Sequence, residues 1–433
     1  MASHNKNTVR YYILIVITLA FLFFSNDFGL LDVQKTAIVL AVGVDREDDS
    51  FILTSQIAIP QDSKQGKATE TVQLVSRGKT IADAFEEINA KTGWYPKLVF
   101  CNLILLGNKT AERNVFDALD FFLHDEYLSD NCLVATCDVA AKDLLNTSAL
   151  VDPSASVAIQ KVLSAHAERV GTVLPSTLRE FAIGYFSESS SGFLPVLKTR
   201  PQQEQIGSDT SSSGSSSGSS SSGSSEQNSE QSGSNSESSQ DSSSQGGQGG
   251  GQDSQKSQNK QGNDKPVFSA GETALFSEGR RVGTLTEEES FAFGAVKNKL
   301  RLAAYSVEQA NKISTLTLKR NSPKIRFTVG KNERPCLKIT VTVSAGMLDY
   351  SASQRLEDIA DVGDVPRGVF AQAEKKLAAE ITRVFEKSRA CGCDLFGIVE
   401  YLQKYEKEHF HALKDTALDG TILDVEVKFQ NVR

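Results

Sequence analysis

The chain has 433 residues, with 46 Lys and Arg against 54 Asp and Glu and a formal net charge of -8. That length accommodates two or three domains with cores of their own, and six cysteines are too few for a disulfide scaffold. No concentrated basic face is present of the kind that neutralises phosphates, which excludes nucleic acid as a partner.

The chain opens on an apolar run at 11–24 (YYILIVITLAFLFF), broken only by Thr18, with Lys6 and Arg10 before it and Asp27 and Asp32 after it. This positive-inside asymmetry leaves the N-terminus cytoplasmic and exports everything that follows. As a helix the run covers about 21 Å, short of a hydrocarbon core of about 30 Å. Phe28, Leu30 and Leu31 can extend it towards the interface. No small-x-small cleavage site follows, so residues 1–31 read as an uncleaved signal-anchor rather than a removed signal peptide.

Residues 32–200 alternate strand-like and helix-like patterns, as in a mixed sheet covered by helices. The runs 36–44 and 51–59 form a hairpin across the polar turn 45–50. Thr80 caps a helix with Ile81, Phe85 and Ile88 on one face. The continuous apolar run 98–106 (LVFCNLILL) reads as a strand buried on both faces. A helix at 112–124, a strand at 132–136, a short helix at 140–145 and two more helices at 154–169 and 176–186 follow.

Between 207 and 266 there is no aliphatic, aromatic or Cys residue. Nothing in that Ser/Gly tract offsets the entropy of ordering, so 201–266 is expected to be a disordered linker. Its r.m.s. span of roughly 40 Å either separates two folded halves or forms a large loop on one body.

Residues 267–433 read as a second α+β region. It opens with strands at 272–276 and 281–285, and then Thr286 caps a helix whose first turn carries Glu287, Glu288 and Glu289. Strands are expected at 312–318, 324–329 and 337–344. Pro366 opens a long helix to about Ala390 with a stripe of Phe370, Ala373, Leu377, Ile381, Val384 and Phe385, leaving Glu380 mostly off it. Asp394 caps a further helix, and 421–430 closes as an alternating strand. The fold class is therefore α+β: several mixed α/β domains with antiparallel or mixed sheets, an N-terminal membrane helix and a long disordered insert.

The chain carries no recognisable catalytic motif: no G-x-S-x-G elbow, P-loop, H-E-x-x-H or G-x-G-x-x-G in a strand–helix context occurs. His409 and His411 stand at i,i+2 on a helix and diverge, which does not suit a joint metal site. Cys132/Cys137 and Cys391/Cys393 lack Cys-x-x-Cys spacing and read as buried or partly buried free thiols. The Glu287–Glu289 triplet is explained by helix capping rather than by paired catalytic carboxylates. No catalytic residue, cofactor site or metal site is assigned.

Three segments carry a family resemblance: 37–45 (AIVLAVGVD), 271–290 (GETALFSEGRRVGTLTEEES) and 393–405 (CDLFGIVEYLQKY). Together and in this order they resemble the GerAC, or Ger(x)C, family, the C subunits of spore germinant receptors. The matching positions are Gly43 and Asp45; Gly271, Phe276, Gly283, Leu285 and Glu288 or Glu289; and Asp394, Phe396 and Gly397. Each has a structural explanation: glycine for close approach or special backbone angles, Asp394 as a cap, and Phe276 and Phe396 as core. The resemblance implies a non-catalytic subunit at the outer face of the spore inner membrane. It would act with membrane-embedded A-type and B-type subunits in sensing small nutrients, with its own contact to nutrient left open. Family members are typically lipoproteins, whereas the first cysteine here is Cys101, so anchoring falls to the apolar run. Two further expectations from other classes are a stand-alone cell-envelope protein that binds wall glycan or solutes, and an envelope hydrolase with a carboxylate-lined cleft.

Overall fold

The computed structural model describes residues 3–25, 36–59, 70–147, 152, 154–164, 167–200, 266–309, 312–330, 334–350 and 365–432. Nearly all of the Ser/Gly tract lies outside them. Residues 1–200 and 265–433 belong to one compact unit.

Helix α1 covers Ser3–Ser25, with the side chains of residues 10–21 exposed. Among the described residues no helix is long and apolar enough to cross a membrane. The apolar run is therefore seen as a helix, not as a span.

In chain order the next elements are β1 (Thr36–Glu47), β2 (Ser50–Ile59), β3 (Glu70–Gly78), α2 (Ile81–Thr92), β4 (Tyr95–Lys97) and β5 (Leu103–Leu106). Then come α3 (Asn108–Ala111), α4 (Phe116–His124), β6 (Leu133–Cys137), α5 (Ala141–Leu145), α6 (Ala155–Val162), α7 (Ala167–Val170), β7 (Ser176–Thr177), α8 (Leu178–Tyr185) and β8 (Ser191–Arg200). After the tract come β9 (Val267–Ser277), β10 (Arg280–Leu285), α9 (Glu287–Val296), β11 (Ala303–Gln309), β12 (Lys312–Val329) and β13 (Pro335–Tyr350). The chain closes with α10 (Arg367–Ala390), α11 (Ile398–Tyr405), α12 (Lys407–Leu413), α13 (Ala417–Gly420) and β14 (Ile422–Asn431).

A large mixed sheet runs β10-β9-β8-β6-β5-β1-β2-β3, with β4 beside β1 and β7 beside β6. Strands β1, β5, β6 and β8 are mutually parallel, while β2, β3, β9 and β10 pair antiparallel. Helices cover both faces, which is why β5 is apolar throughout. Ile104 and Leu106 pack with α2, α4 and α8, whereas Leu103 and Leu105 pack with α5 and α6. A second sheet, β11-β12-β13-β14, ends in a parallel β13/β14 pair and shares a core with α9, α10 and α11. Leu174, and Leu275 and Leu285 from β9 and β10 of the large sheet, belong to that core.

Several expectations change. The apolar run 98–106 yields a strand only at Leu103–Leu106, because Leu98 O accepts the Cys101 N–H at 2.9 Å to close a turn. That turn leaves Val99 and Phe100 about half exposed, at 49% and 53%. The helix expected at 112–124 begins only at Phe116, with α3 a separate short helix before it, and the helix at 154–169 is split into α6 and α7, with residues 165 and 166 outside the description. The strands expected at 312–318 and 324–329 are one strand, β12, and β11 before it was not foreseen. Pro323 interrupts the pattern without breaking β12: β11 pairs only as far as Leu318, so the proline sits where the strand has an open edge. Glu380 is buried at 3% exposure rather than off the stripe of α10.

The largest difference concerns the strands after the tract. β9 lies antiparallel on β8, from Ser191 opposite Ser277 to Arg200 opposite Val267. Residues 201–266 therefore connect neighbouring strands of one sheet, the loop-on-one-body alternative, and they do not space two halves apart.

Candidate functional site

The first family segment ends in a capping device. The Asp45 carboxylate accepts the Ala141 N–H at Oδ1 (2.8 Å) and the Lys142 N–H at Oδ2 (3.1 Å). Helix α5 has no side-chain cap of its own at Ala140, so Asp45 satisfies its orphan donors from β1. Gly43 is required by the approach of α5, since a Cβ there would stand 3.0 Å from Ala141 Cβ. Burial raises the Asp45 pKa, and the two backbone N–H groups oppose that shift.

The second segment is β9, β10 and the start of α9. Phe276 is 1% exposed and packs edge-on to Phe181, with ring centroids 5.2 Å apart. A Cβ on Gly271 would meet Glu287 at 2.8 Å, and one on Gly283 would meet Cys391 Sγ at 2.7 Å. Leu285 is fully buried. Thr286 and Glu289 form a reciprocal capping box at the start of α9. The Glu289 Oε2 also accepts Lys387 Nζ of α10 at 2.7 Å. Glu288 is exposed; of the two candidates, Glu289 does the structural work.

The third segment locks onto the second. Cys393 Sγ donates to Phe276 O at 3.2 Å, and the Asp394 N–H donates to Ser191 Oγ at 2.9 Å. Asp394 Oδ2 accepts the Val399 N–H at 2.8 Å, so this residue caps α11 from four residues ahead of Ile398 and not from the N-cap position next to the helix. The position immediately before the helix is Gly397, at φ 73°, which favours glycine. Phe396 is 2% exposed, between Phe293 and Phe385. Segments two and three thus meet. The first stands apart, since β8, β6 and β5 separate β1 from β9.

Beside this junction lies a cleft of about 330 Å3 lined by Phe181, Ser189, Ser191, Phe193, Lys297, Lys299, Asp394 and Glu400, among others. Glu400 Oε1 accepts both Ser189 Oγ (2.6 Å) and the Ser189 N–H (3.2 Å). Lys299 Nζ donates to Pro175 O at 2.9 Å and pairs with Glu180 at 3.3 Å. Burial pushes the Cys393 thiol up to about 12, so it stays protonated near neutrality and is a poor nucleophile. Burial also raises the Asp394 pKa, against the pull of the backbone N–H groups of 397–399. The Ser189–Glu400 and Asp394–Ser191 hydrogen bonds join the two regions of the fold, while Asp394 Oδ1 and Glu400 Oε2 are buried without a hydrogen-bond partner among the described residues. Ser189, Ser191, Lys297 and Lys299 stand at none of the family-motif positions, and nothing local in the sequence marks them. All six cysteines are free thiols, four of them buried. Among the described residues no three His, Cys, Asp or Glu side chains gather so as to hold a metal ion.

Two family models match the chain. One, the spore germination protein N-terminal domain, covers residues 31–199. The other, the spore germination B3/GerAC-like C-terminal domain, covers 271–431. The chain belongs to the Ger(x)C family. A crystal structure titled as that of the GerBC protein is similar at 13% sequence identity and a TM-score of 0.49, over 90% of this chain and 97% of that one. No curated protein matches the sequence. The C-terminal Ger(x)C model begins inside β9, and β9 and β10 complete the sheet whose other strands lie in or at the edge of the N-terminal match. In this Ger(x)C chain the two family regions are therefore fused through a shared sheet.

Proposed function

We propose that this chain is a non-catalytic subunit of a nutrient germinant receptor, held at the outer face of the spore inner membrane by α1. In this reading it works with membrane-embedded A-type and B-type subunits. The observation that carries the reading is how the family-motif acids are used. Asp45 caps α5, Glu289 caps α9 and pairs with Lys387, and Asp394 caps α11. Acids committed to backbone N–H groups and ion pairs are scaffold residues, which fits a receptor subunit better than a hydrolase. Anchoring by α1 is supported by its apolar run at 11–24 with Lys6 and Arg10 on the N-terminal side.

The test is deletion of the gene followed by nutrient-triggered germination. Loss of the response to at least one nutrient is expected, with restoration by the full chain. An unchanged response to every nutrient would sink the reading. Affinity purification from spore membranes should recover A-type and B-type subunits; direct glycan binding without them would favour a stand-alone envelope protein.

A further inference from the structure

Among the described residues, one end of the large sheet carries an exposed aromatic surface. After Gly93 ends α2 in a left-handed turn (φ 72°), Trp94 and Tyr95 are 41% and 47% exposed. The turn before β5 exposes Val99 and Phe100, and Tyr127 is 52% exposed with Lys97 Nζ 4.0 Å from its ring centroid. These residues fall at one end of the sheet because its central strands are parallel. Thr36 at the start of β1 pairs with Tyr95, Ala41 with Leu103 at the start of β5, and Leu103 with Leu133 at the start of β6. Val99 and Phe100 precede β5, and Tyr127 precedes β6.

It is also the end at which the chain arrives from α1. Ten residues, 26–35, separate Ser25 from Thr36, a reach of at most about 35 Å fully extended. Tryptophan, tyrosine and lysine side chains with apolar bodies and polar tips are the residues that settle at a lipid–water interface. Asp125, Glu126 and Asp130 flank Tyr127, so attraction to anionic headgroups does not account for the surface; ring insertion does.

We propose that this end of the sheet rests on the bilayer surface, with Trp94, Tyr95, Phe100 and Tyr127 in the headgroup layer. The proposal rests on anchoring by α1. It fixes the orientation of the domain: the β1-entry end faces the lipid, and the opposite end of the parallel strands faces away.

Trp94 is the chain's one tryptophan and reports the surface directly. The full chain is reconstituted into phosphatidylcholine vesicles and first tested by flotation, which reads the anchor alone. Trp94 emission is then quenched from either side, by lipids brominated high on the acyl chain or by aqueous iodide. The expected result is at least twofold quenching by bromolipid with protection from iodide. The Phe100→Ser/Tyr127→Ser double variant should still float but become open to iodide. A floating chain whose Trp94 is quenched by iodide and untouched by bromolipid overturns the proposal while leaving the anchor intact. Protection from both quenchers assigns the surface to protein and overturns it as well. A chain that does not float overturns the anchor and the proposal together.

Discussion

The Asp45 carboxylate caps the N-terminus of the helix that begins at Ala141, 96 residues further along the chain. Gly107 leaves the room for it, since a Cβ there would stand 1.9 Å from Asp45 Oδ1. The two family positions of the first region, Gly43 and Asp45, thus form one device with Gly107 and the start of α5. The Asp45→Ala variant should lose about 1–2 kcal/mol of stability, the usual cost of a lost cap. Gly107→Ala should also destabilise, but less in the Asp45→Ala background than alone. Urea titrations of the two single variants and the double variant measure that coupling; strict additivity would refute the shared device.

The two neighbouring glutamates at the start of α9 should behave very differently. Glu289 is 5% exposed, caps the helix and holds Lys387. Its replacement by alanine should cost about 2 kcal/mol, the cap plus a half-buried ion pair. Glu288→Ala should stay within about 0.5 kcal/mol of the parent. Thermal melts of both variants, scored with germination of the corresponding strains, decide which glutamate is the family position.

Glu380 gives a pH signature. It is buried, accepts the Tyr305 hydroxyl at 3.1 Å, and has its pKa raised by burial, against the opposing pull of Lys376. A carboxyl with a raised pKa binds its proton more tightly in the folded chain than in the unfolded one. Its contribution is therefore present at acid pH and is lost as pH rises from the ordinary carboxylate range through the folded value. Glu380→Gln, which keeps an acceptor for Tyr305, should be more stable than the parent at pH 7. That gain should shrink towards about pH 4.3. A constant difference in unfolding midpoint across pH 4–8 would contradict this account.

The Ser/Gly tract can be shortened. Its ends are register partners, Arg200 opposite Val267, so a turn of about four residues can replace the 66 residues 201–266. Loop-closure entropy then favours the shortened chain by about 2.5 kcal/mol. A lower melting temperature in the shortened chain would count against the strand pairing. Its germination phenotype separately tests whether the tract has a role beyond connection.

Much of this fold was legible because its signals are local. The hairpin turning near Asp48, the capping boxes at Thr80 and Thr286, and the apolar stripe of α10 each depend on residues within a few turns of one another. What escaped depends on distant partners. Nothing within β9 says that it lies on β8 rather than opening a second sheet, because its apolar pattern suits either neighbour. Val99 and Phe100 read as strand interior until the Leu98–Cys101 turn swings them outward. The strands expected at 312–318 and 324–329 are one, since the open edge of β12 that accommodates Pro323 cannot be seen from sequence. The motif acids were found, but the partner of Asp45 was not: a cap that reaches across 96 residues leaves no spacing to recognise.

The β8/β9 pairing changes what a cut in this chain would mean. A protease acting on the Ser/Gly tract would produce two bands on a denaturing gel and a single particle in solution. Ten register pairs between Ser191 and Arg200 on one side and Val267 and Ser277 on the other would still join the pieces, as would the core that packs Ala274 and Phe276 with Phe181, Leu194 and Val196. The covalent connection acts there only by keeping the two pieces at an effective concentration of order millimolar. The fragments 1–200 and 267–433 are, in that sense, the two subunits of a heterodimer that happen to be encoded in one reading frame.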